Sequence, residues 1–289
     1  MKLYSTPFET LNDDIVGIPS DTPIGIMAPA GEGKTILTTE LALKFAIDVG
    51  GNILVIKTEK LNSMTHELWL ARLLQNKKYG DKTVQMYVEK AKTVEELLKL
   101  NGYDMSVGAK KSKKEVTLSD VDIENSPVRK YIKEKNVKVV IYDSLTTPFN
   151  SVLTGGQQNM PTRTQVEEMF FQSLQLIFDN TDCAILTTNH ITYNITSPFL
   201  SREQFDIKGG KAIKHMMDYI FYLEQGKSKH NLNQRTMYVV RHPILKDWAH
   251  STILWLDDDG YKEMTKEEAA RLRAKSVSDA KGETTPTTS

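Results

Sequence analysis

The sequence predicts an α/β fold: a mostly parallel central sheet with helices on both faces and an antiparallel hairpin towards the C-terminus. Three observations carry that expectation. From about residue 22 short apolar runs alternate with amphipathic stretches. A glycine-rich turn, APAGEGKT at 28–35, lies between the first such run and the first helical stretch. Near the end, two strand-like runs flank one short polar turn.

In order, PIGIM (23–27) reads as a buried strand and TILTTELALKFAIDV (35–49) as a helix with apolar positions recurring at three and four, stopped by Gly50 and Gly51. NILVIKTE (52–59) is a second buried strand, followed by a helix near 64–75, a strand VQMYVEKA (84–91) and a helix through TVEELLKL (93–100). Between Asn101 and Asn125 the periodicity fails, and Lys110, Lys111, Lys113 and Lys114 crowd one run, which reads as an exposed insertion. Ser126 and Pro127 signal a helix start, a side-chain acceptor at the N-cap before a ring at the first helical position, and a basic helix runs to about Lys135. VKVVIYD (137–143) is a third core strand, TQVEEMFFQSLQLIFDN (164–180) a long helix and CAILTTN (183–189) a fourth strand. YIFYLEQ and RTMYVVR flank GKSKHNLNQ as the hairpin, and STILWL reads as a last strand before the acidic turn at Asp257 to Gly260. The expected organisation is an N-terminal segment (1–20), a core (21–262, with 101–125 inserted) and, at 263–289, a charged helical stretch with a tail too poor in apolar residues to order itself.

A chain of 289 residues with 39% hydrophobic content suffices for one large α/β domain or two small ones. Basic and acidic residues each number 37, so no global attraction to a polyanion exists and any such partner must be held by local patches. The single cysteine, Cys183, excludes an internal disulfide and reads as a small core hydrophobe; no histidine or cysteine grouping has zinc-like spacing. His66, His215, His230 and His250 show no pattern that requires a ligand role. With neither an apolar leader nor a membrane-length apolar run, a cytoplasmic protein with no membrane partner is expected.

The chemistry concentrates in APAGEGKT. Ala28 stands where a phosphate-binding loop usually has its first glycine, while Gly33, Lys34 and Thr35 hold the strict positions. Ala30, Gly31, Glu32, Gly33, Lys34, Thr35 and Ile36 form the expected nucleotide-binding turn, with backbone amides converging on phosphate oxygens at the start of the helix. Lys34 would neutralise the β- and γ-phosphates of ATP and the Thr35 hydroxyl would ligate Mg2+. Asp143, at the end of a central strand, would hold the same magnesium ion, usually through water. Glu59 closes its strand likewise; it reads either as the carboxylate that polarises the attacking water or as a solvated glutamate opening a loop.

Thr58 with Glu59 after the second strand, Asp143-Ser144-Leu145 after the third, Thr188-Asn189 after the fourth and GGKAIKHMMD before the hairpin together resemble the RecA/RadA recombinase family, above all its core-only RadB-like, archaeal and phage members, over about residues 5–262. The resemblance implies a RecA-type P-loop NTPase fold, ATP hydrolysis between adjacent subunits of a filament or ring, and two loops facing single-stranded DNA. By position these loops are about Pro148 to Arg163 and Ile191 to Lys208. Arg163 in the first, with Tyr193, Phe199, Arg202 and Lys208 in the second, can contact phosphates and stack bases. Taken singly, they read rather as residues of long polar loops; for the loops together DNA contact is favoured, because long connections inside a compact domain are often functional.

The sequence departs from that family pattern in several places. Asn189-His190 stands where Asn-Gln commonly links the γ-phosphate to the second loop, and is the expected sensor pair. Arg241-His242-Pro243 stands where relatives carry Lys-x-Arg; Arg241 either stabilises phosphate charge on a neighbouring subunit or is a plain strand-end residue. Phe8-Glu-Thr-Leu11 faintly resembles the Phe-x-x-Ala hook by which such subunits polymerise, with a bulkier last residue. The expected function is an ATP-dependent, single-stranded-DNA-binding recombination or repair protein. Competing readings are a KaiC-like regulatory ATPase acting on protein partners, which the neutral charge favours, and a DnaB-like helicase motor core, which the absence of room for an N-terminal assembly domain disfavours.

Overall fold

This computed structural model describes residues 2–59, 63–76, 78–103, 122–151, 160–193, 205–207, 211–226, 232–248, 250–271 and 274. In chain order its elements are β1 (Leu3–Tyr4), α1 (Glu9–Ile15), β2 (Ile18–Pro19), β3 (Pro23–Ala28), α2 (Lys34–Val49), β4 (Asn52–Lys57), α3 (Thr65–Gln75), β5 (Met86–Lys90) and α4 (Val94–Leu100). There follow α5 (Pro127–Glu134), β6 (Val137–Asp143), α6 (Thr146–Ser151), α7 (Met160–Phe178), β7 (Ala184–Tyr193), β8 (Phe205–Ile207), α8 (Lys211–His215), β9 (Tyr219–Gln225), β10 (Gln234–Arg241), β11 (Ser251–Asp257) and β12 (Gly260–Met264). Every apolar run read as a strand forms one.

One sheet runs in the order β12-β11-β10-β9-β3-β7-β6-β4-β5, with β8 paired to the far end of β7. The six strands from β9 to β5 are parallel, and β10, β11 and β12 turn back antiparallel. Each central strand is buried on both faces, so its alternate residues feed two separate cores. Ile53, Val55, Val139 and Ile141 pack with Leu37, Leu41 and Phe45 of α2 and Leu70 and Leu73 of α3. Leu54, Ile56, Val140 and Tyr142 pack on the other face with Leu97, Val128, Phe170 and Leu174. This alternation decides which strand-end side chains meet α2, whose first turn follows the glycine-rich loop.

Local chemistry accounts for the helix boundaries. Gly50 ends α2 in the left-handed conformation (φ 66°), as the glycine pair implied. The Ser126 side chain caps α5 by accepting from the Arg129 amide at 3.1 Å, with Pro127 at the first position. Thr93 and Glu96 form a reciprocal capping box on α4.

The structure corrects four readings. STILWL is not the last strand: the chain reverses at Asp258 and Asp259, Gly260 takes φ 95°, and β12 pairs with β11. Both expected loops are partly regular, because α6 and the first turn of α7 occupy the ends of the first, and the second opens as an antiparallel pairing of Ile191 with Ile207 and Tyr193 with Phe205. Most of the expected insertion, Lys110 to Lys114 included, lies outside the described residues, but its ends are not exposed throughout: Asn101 and Tyr103 are buried, and the Asp122 amide donates to the Gly102 carbonyl at 2.8 Å. Phe8 and Leu11 are buried with Tyr4, Ile15 and Ile18 beneath the chain's own sheet, so they do not form a protruding hook. Cys183 is a free, fully buried thiol, as its place at the start of a strand implied. Among the described residues no helix is long and apolar enough to cross a membrane.

Candidate nucleotide site

At the C-terminal edge of the parallel strands a cleft of about 400 Å³ opens between the loop after β3 and the ends of β4, β6 and β7. Ala30, Gly31, Gly33, Lys34, Thr35 and Ile36 line one side. Gly31 and Gly33 take positive φ (84° and 95°), and Gly33 caps α2. A Cβ on Gly33 would lie 2.4 Å from Tyr261 Oη, so position and conformation both demand glycine. Glu32 does not line the cleft, which leaves its backbone amide as the part it would contribute to the expected turn. Its carbonyl accepts from Arg235 Nε at 2.8 Å and its carboxyl lies near Gln225 and Arg235, where burial pushes its pKa up.

Lys34 is 6% exposed and folds back over the loop, donating to the carbonyls of Ala28 (3.0 Å) and Pro29 (2.8 Å). Burial pushes its pKa down to about 8, opposed by the carboxylates of Asp143, Glu59 and Glu32. A desolvated ammonium at the mouth of the loop suits a phosphate, whose charge would offset the cost of its burial.

One strand, β7, separates β3 from β6, and it supplies side chains between the loop and Asp143. Asp143 ends β6 on the α2 face. Its Oδ2 accepts from Thr35 Oγ1 (3.1 Å) and lies 2.9 Å from His66 Nε2, and its Oδ1 accepts from Thr188. Burial pushes its pKa up, but His66, Thr188 and Thr35 outweigh that and hold it at about 2. Glu59 hangs just beyond β4, where the Thr58 hydroxyl ties β4 to the Ser144 backbone. Its Oε1 accepts from Ser144 Oγ (2.5 Å) and Thr147 Oγ1 (2.7 Å), and Oε2 lies 3.1 Å from His190 Nε2. Burial is again outweighed, here by His190, Ser144 and Thr147, and the pKa falls to about 2. With three donors and a place in its lining, Glu59 is part of the cleft and not a glutamate free in solvent.

His190 joins the two charges. Its Nδ1 lies 3.2 Å from Lys34 Nζ, which can only donate, so Nδ1 accepts and Nε2 carries the proton towards Glu59. Asn189, the other half of the expected sensor, points away. Successive side chains of a strand face opposite sides, so His190 shares a face with Thr188, and Asn189 is fully buried on the other, its side-chain amide without a hydrogen-bond partner among the described residues.

Arg241 lies away from this cleft within the chain. Because β10 runs antiparallel to β9, Arg235 pairs with Gln225 at the loop edge while Arg241 pairs with Ile220 at the opposite edge. Its Nη1 donates to the carbonyls of Lys214 (2.5 Å) and Met217 (3.4 Å). Arg163 and Tyr193 lie at the start of α7 and the end of β7, but their side chains fall outside the described residues, as do Phe199, Arg202 and Lys208 altogether.

Lys57, Ser63, Thr65 and His66 line the cleft and escaped the sequence reading, and two of them are buried. Lys57 is 4% exposed, pairs in register with Asp143, and binds both Glu67 oxygens at 2.7 Å. His66 is 2% exposed. Its spacing to Leu70 and Leu73 set it on the buried face of α3, and that was the available signal.

Among the described residues no three His, Cys, Asp or Glu side chains cluster as a metal cage. A cation here would rest on the Thr35 hydroxyl, Asp143 and the nucleotide's own phosphates, the usual manner of holding magnesium, and these residues fit it. The AAA_25 family model, an AAA domain, matches residues 2–193. The chain belongs to the AAA_25 family. AAA_25 domains are P-loop ATPase domains of the kind found in RecA- and DnaB-like proteins, which agrees with the loop, the sheet and the carboxylates described above. No curated protein matches this AAA_25 chain.

Proposed function

We propose that the chain hydrolyses MgATP and passes its nucleotide state along β7 to a segment that binds single-stranded DNA, as a recombination or repair ATPase of RecA/RadA type. The observation that carries this reading is the continuous contact Lys34–His190–Glu59, with His190 on the strand that leads into the β7–β8 pairing.

When phosphate enters the loop, Lys34 turns from the Ala28 and Pro29 carbonyls to the β- and γ-oxygens. His190 Nδ1 then loses its donor, and the ring is free to leave Glu59. Held by three donors at a pKa of about 2, Glu59 is a weak base; with one donor gone its basicity rises. It then orients a water and takes one of its protons as the water oxygen attacks the γ-phosphorus and the bond to the bridging oxygen breaks, giving ADP and phosphate. Thr35 and Asp143 would hold Mg2+, which neutralises developing phosphate charge. Arg163, Tyr193, Phe199, Arg202 and Lys208 are the residues assigned to DNA. Arg241 acts in trans in this reading, since an edge opposite to the cleft meets a neighbour's cleft when subunits stack head to tail into a filament or ring.

ATPase activity measured with and without single-stranded DNA tests the proposal. Stimulation that fades steeply with salt is expected, and Lys34→Ala should abolish turnover. A regulatory ATPase acting on protein partners is the second reading, favoured by zero net charge and by Met64 and Leu68, 58% and 64% exposed one turn apart beside the cleft. Turnover indifferent to DNA would move the assignment there.

A further inference from the structure

His66 has no part in the hydrolytic steps above, yet it is buried and engaged at both ring nitrogens. Nδ1 lies 2.7 Å from Thr39 Oγ1, on α2 one turn beyond Thr35, and Nε2 lies 2.9 Å from Asp143 Oδ2. Thr39 is itself fully buried. The ring therefore bridges α2 and α3 to the end of β6, directly behind the carboxylate assigned to the metal.

An ionised carboxylate offers about four acceptor positions. On Asp143 Thr188 takes one at Oδ1, while Thr35 and His66 share Oδ2. Three donors from three different elements fix the carboxylate plane, because rotation about its last torsion would break contacts at both oxygens. One acceptor position is left, on Oδ1. With His66 removed, Oδ2 keeps only the Thr35 hydroxyl, a rotor that must also serve the cation.

We propose that His66 is a positioning residue for the magnesium site: it locks the Asp143 carboxylate so that its one free acceptor position is presented to the metal's hydration shell, and Thr39 in turn locks the ring. The inference rests on the nucleotide-site reading. A buried histidine that merely ties α3 to the sheet would have the same burial and the same two contacts, so the test must separate the two ring nitrogens.

The measurement is ADP affinity of the full chain across a magnesium titration, for the parent, His66→Ala, His66→Gln and His66→Asn, with thermal unfolding of each. His66→Ala should need about tenfold more Mg2+ to reach half its effect, the usual cost of losing a group that orients a metal ligand, while affinity without Mg2+ changes less than about twofold. A glutamine amide can donate where Nε2 does, and His66→Gln should restore most of the magnesium dependence. An asparagine amide reaches only the Thr39 side, so His66→Asn should recover unfolding temperature but not the magnesium midpoint. A midpoint for His66→Ala within about twofold of the parent, or full recovery by asparagine, overturns the inference. If His66→Ala fails to fold, the glutamine and asparagine variants decide it alone. ADP affinity of the parent that ignores Mg2+ would overturn the site reading itself, and this inference with it.

Discussion

Asp143 and Glu59 stand at the same edge of the sheet, beyond neighbouring strands, and both carboxylates are held at about 2 by hydrogen bonds that outweigh burial. Their donors differ in kind. Asp143 is gripped by Thr35, His66 and Thr188, from two helices and a strand packed in one core. Glu59 is held by Ser144, by Thr147 and by His190, whose other nitrogen faces the ammonium that an incoming phosphate would claim. In the proposed cycle the first carboxylate stays in place and the second is released, as a metal-orienting group and a base respectively would be.

The contrast predicts different losses. Asp143→Asn should reduce hydrolysis by about 10³-fold or more, the several kcal/mol expected of misplacing a catalytic cation, and should weaken Mg2+-dependent nucleotide binding as well. Glu59→Gln should cost about 10²–10³-fold in kcat with ADP affinity nearly unchanged, as expected when only a base is lost. Steady-state kinetics beside ADP titrations checks both; equal losses of affinity would erase the distinction.

Acid stability gives a smaller signal with a definite sign. The Glu59 pKa falls from 4.5 to about 2 on folding, so its contribution is complete above 4.5 and is lost as pH falls towards 2. That of Asp143 falls from 3.8 to about 2, so its loss begins lower. In urea unfolding between pH 6 and 3, the stability gap between parent and Glu59→Gln should narrow on acidification by on the order of 1–3 kcal/mol. The gap for Asp143→Asn should narrow later. A gap that widens with acid would contradict the hydrogen bonds assigned to Glu59.

The same contrast explains what could be read from sequence. Strands and their order of appearance were legible because each central strand is an apolar run, and the loop because its glycines are forced by backbone conformation, as Gly33 shows beside Tyr261. Asp143 and Glu59 were legible as the first carboxylates after such runs. The donors were not. Ser144 and Thr147 are ordinary loop and helix-start residues until β4 and β6 are paired. His66 comes from a helix whose packing the sequence does not state. Asn189 was misread because adjacency in a motif conceals the alternation of a strand, and the edge at which Arg241 stands could not be read because the direction of β10 decides which end of it meets the loop. Register and facing, the long-range facts of a sheet, are what the local pattern leaves out.

The smallest expected effect is the most discriminating. Thr147, exposed in the first turn of α6, gives Glu59 one of its three hydrogen bonds at 2.7 Å. Thr147→Val keeps the side-chain shape and removes that donor, and at an exposed position it should cost no more than about 1 kcal/mol of stability. If the donors restrain Glu59 until nucleotide arrives, loosening one raises its basicity, and hydrolysis should rise by up to about threefold, in line with the modest response of proton transfer to basicity. If instead Thr147→Val lowers kcat tenfold, the donors position the base and do not restrain it. Glu59 would then be as fixed as Asp143, and release through His190 could not be the step that admits the attacking water.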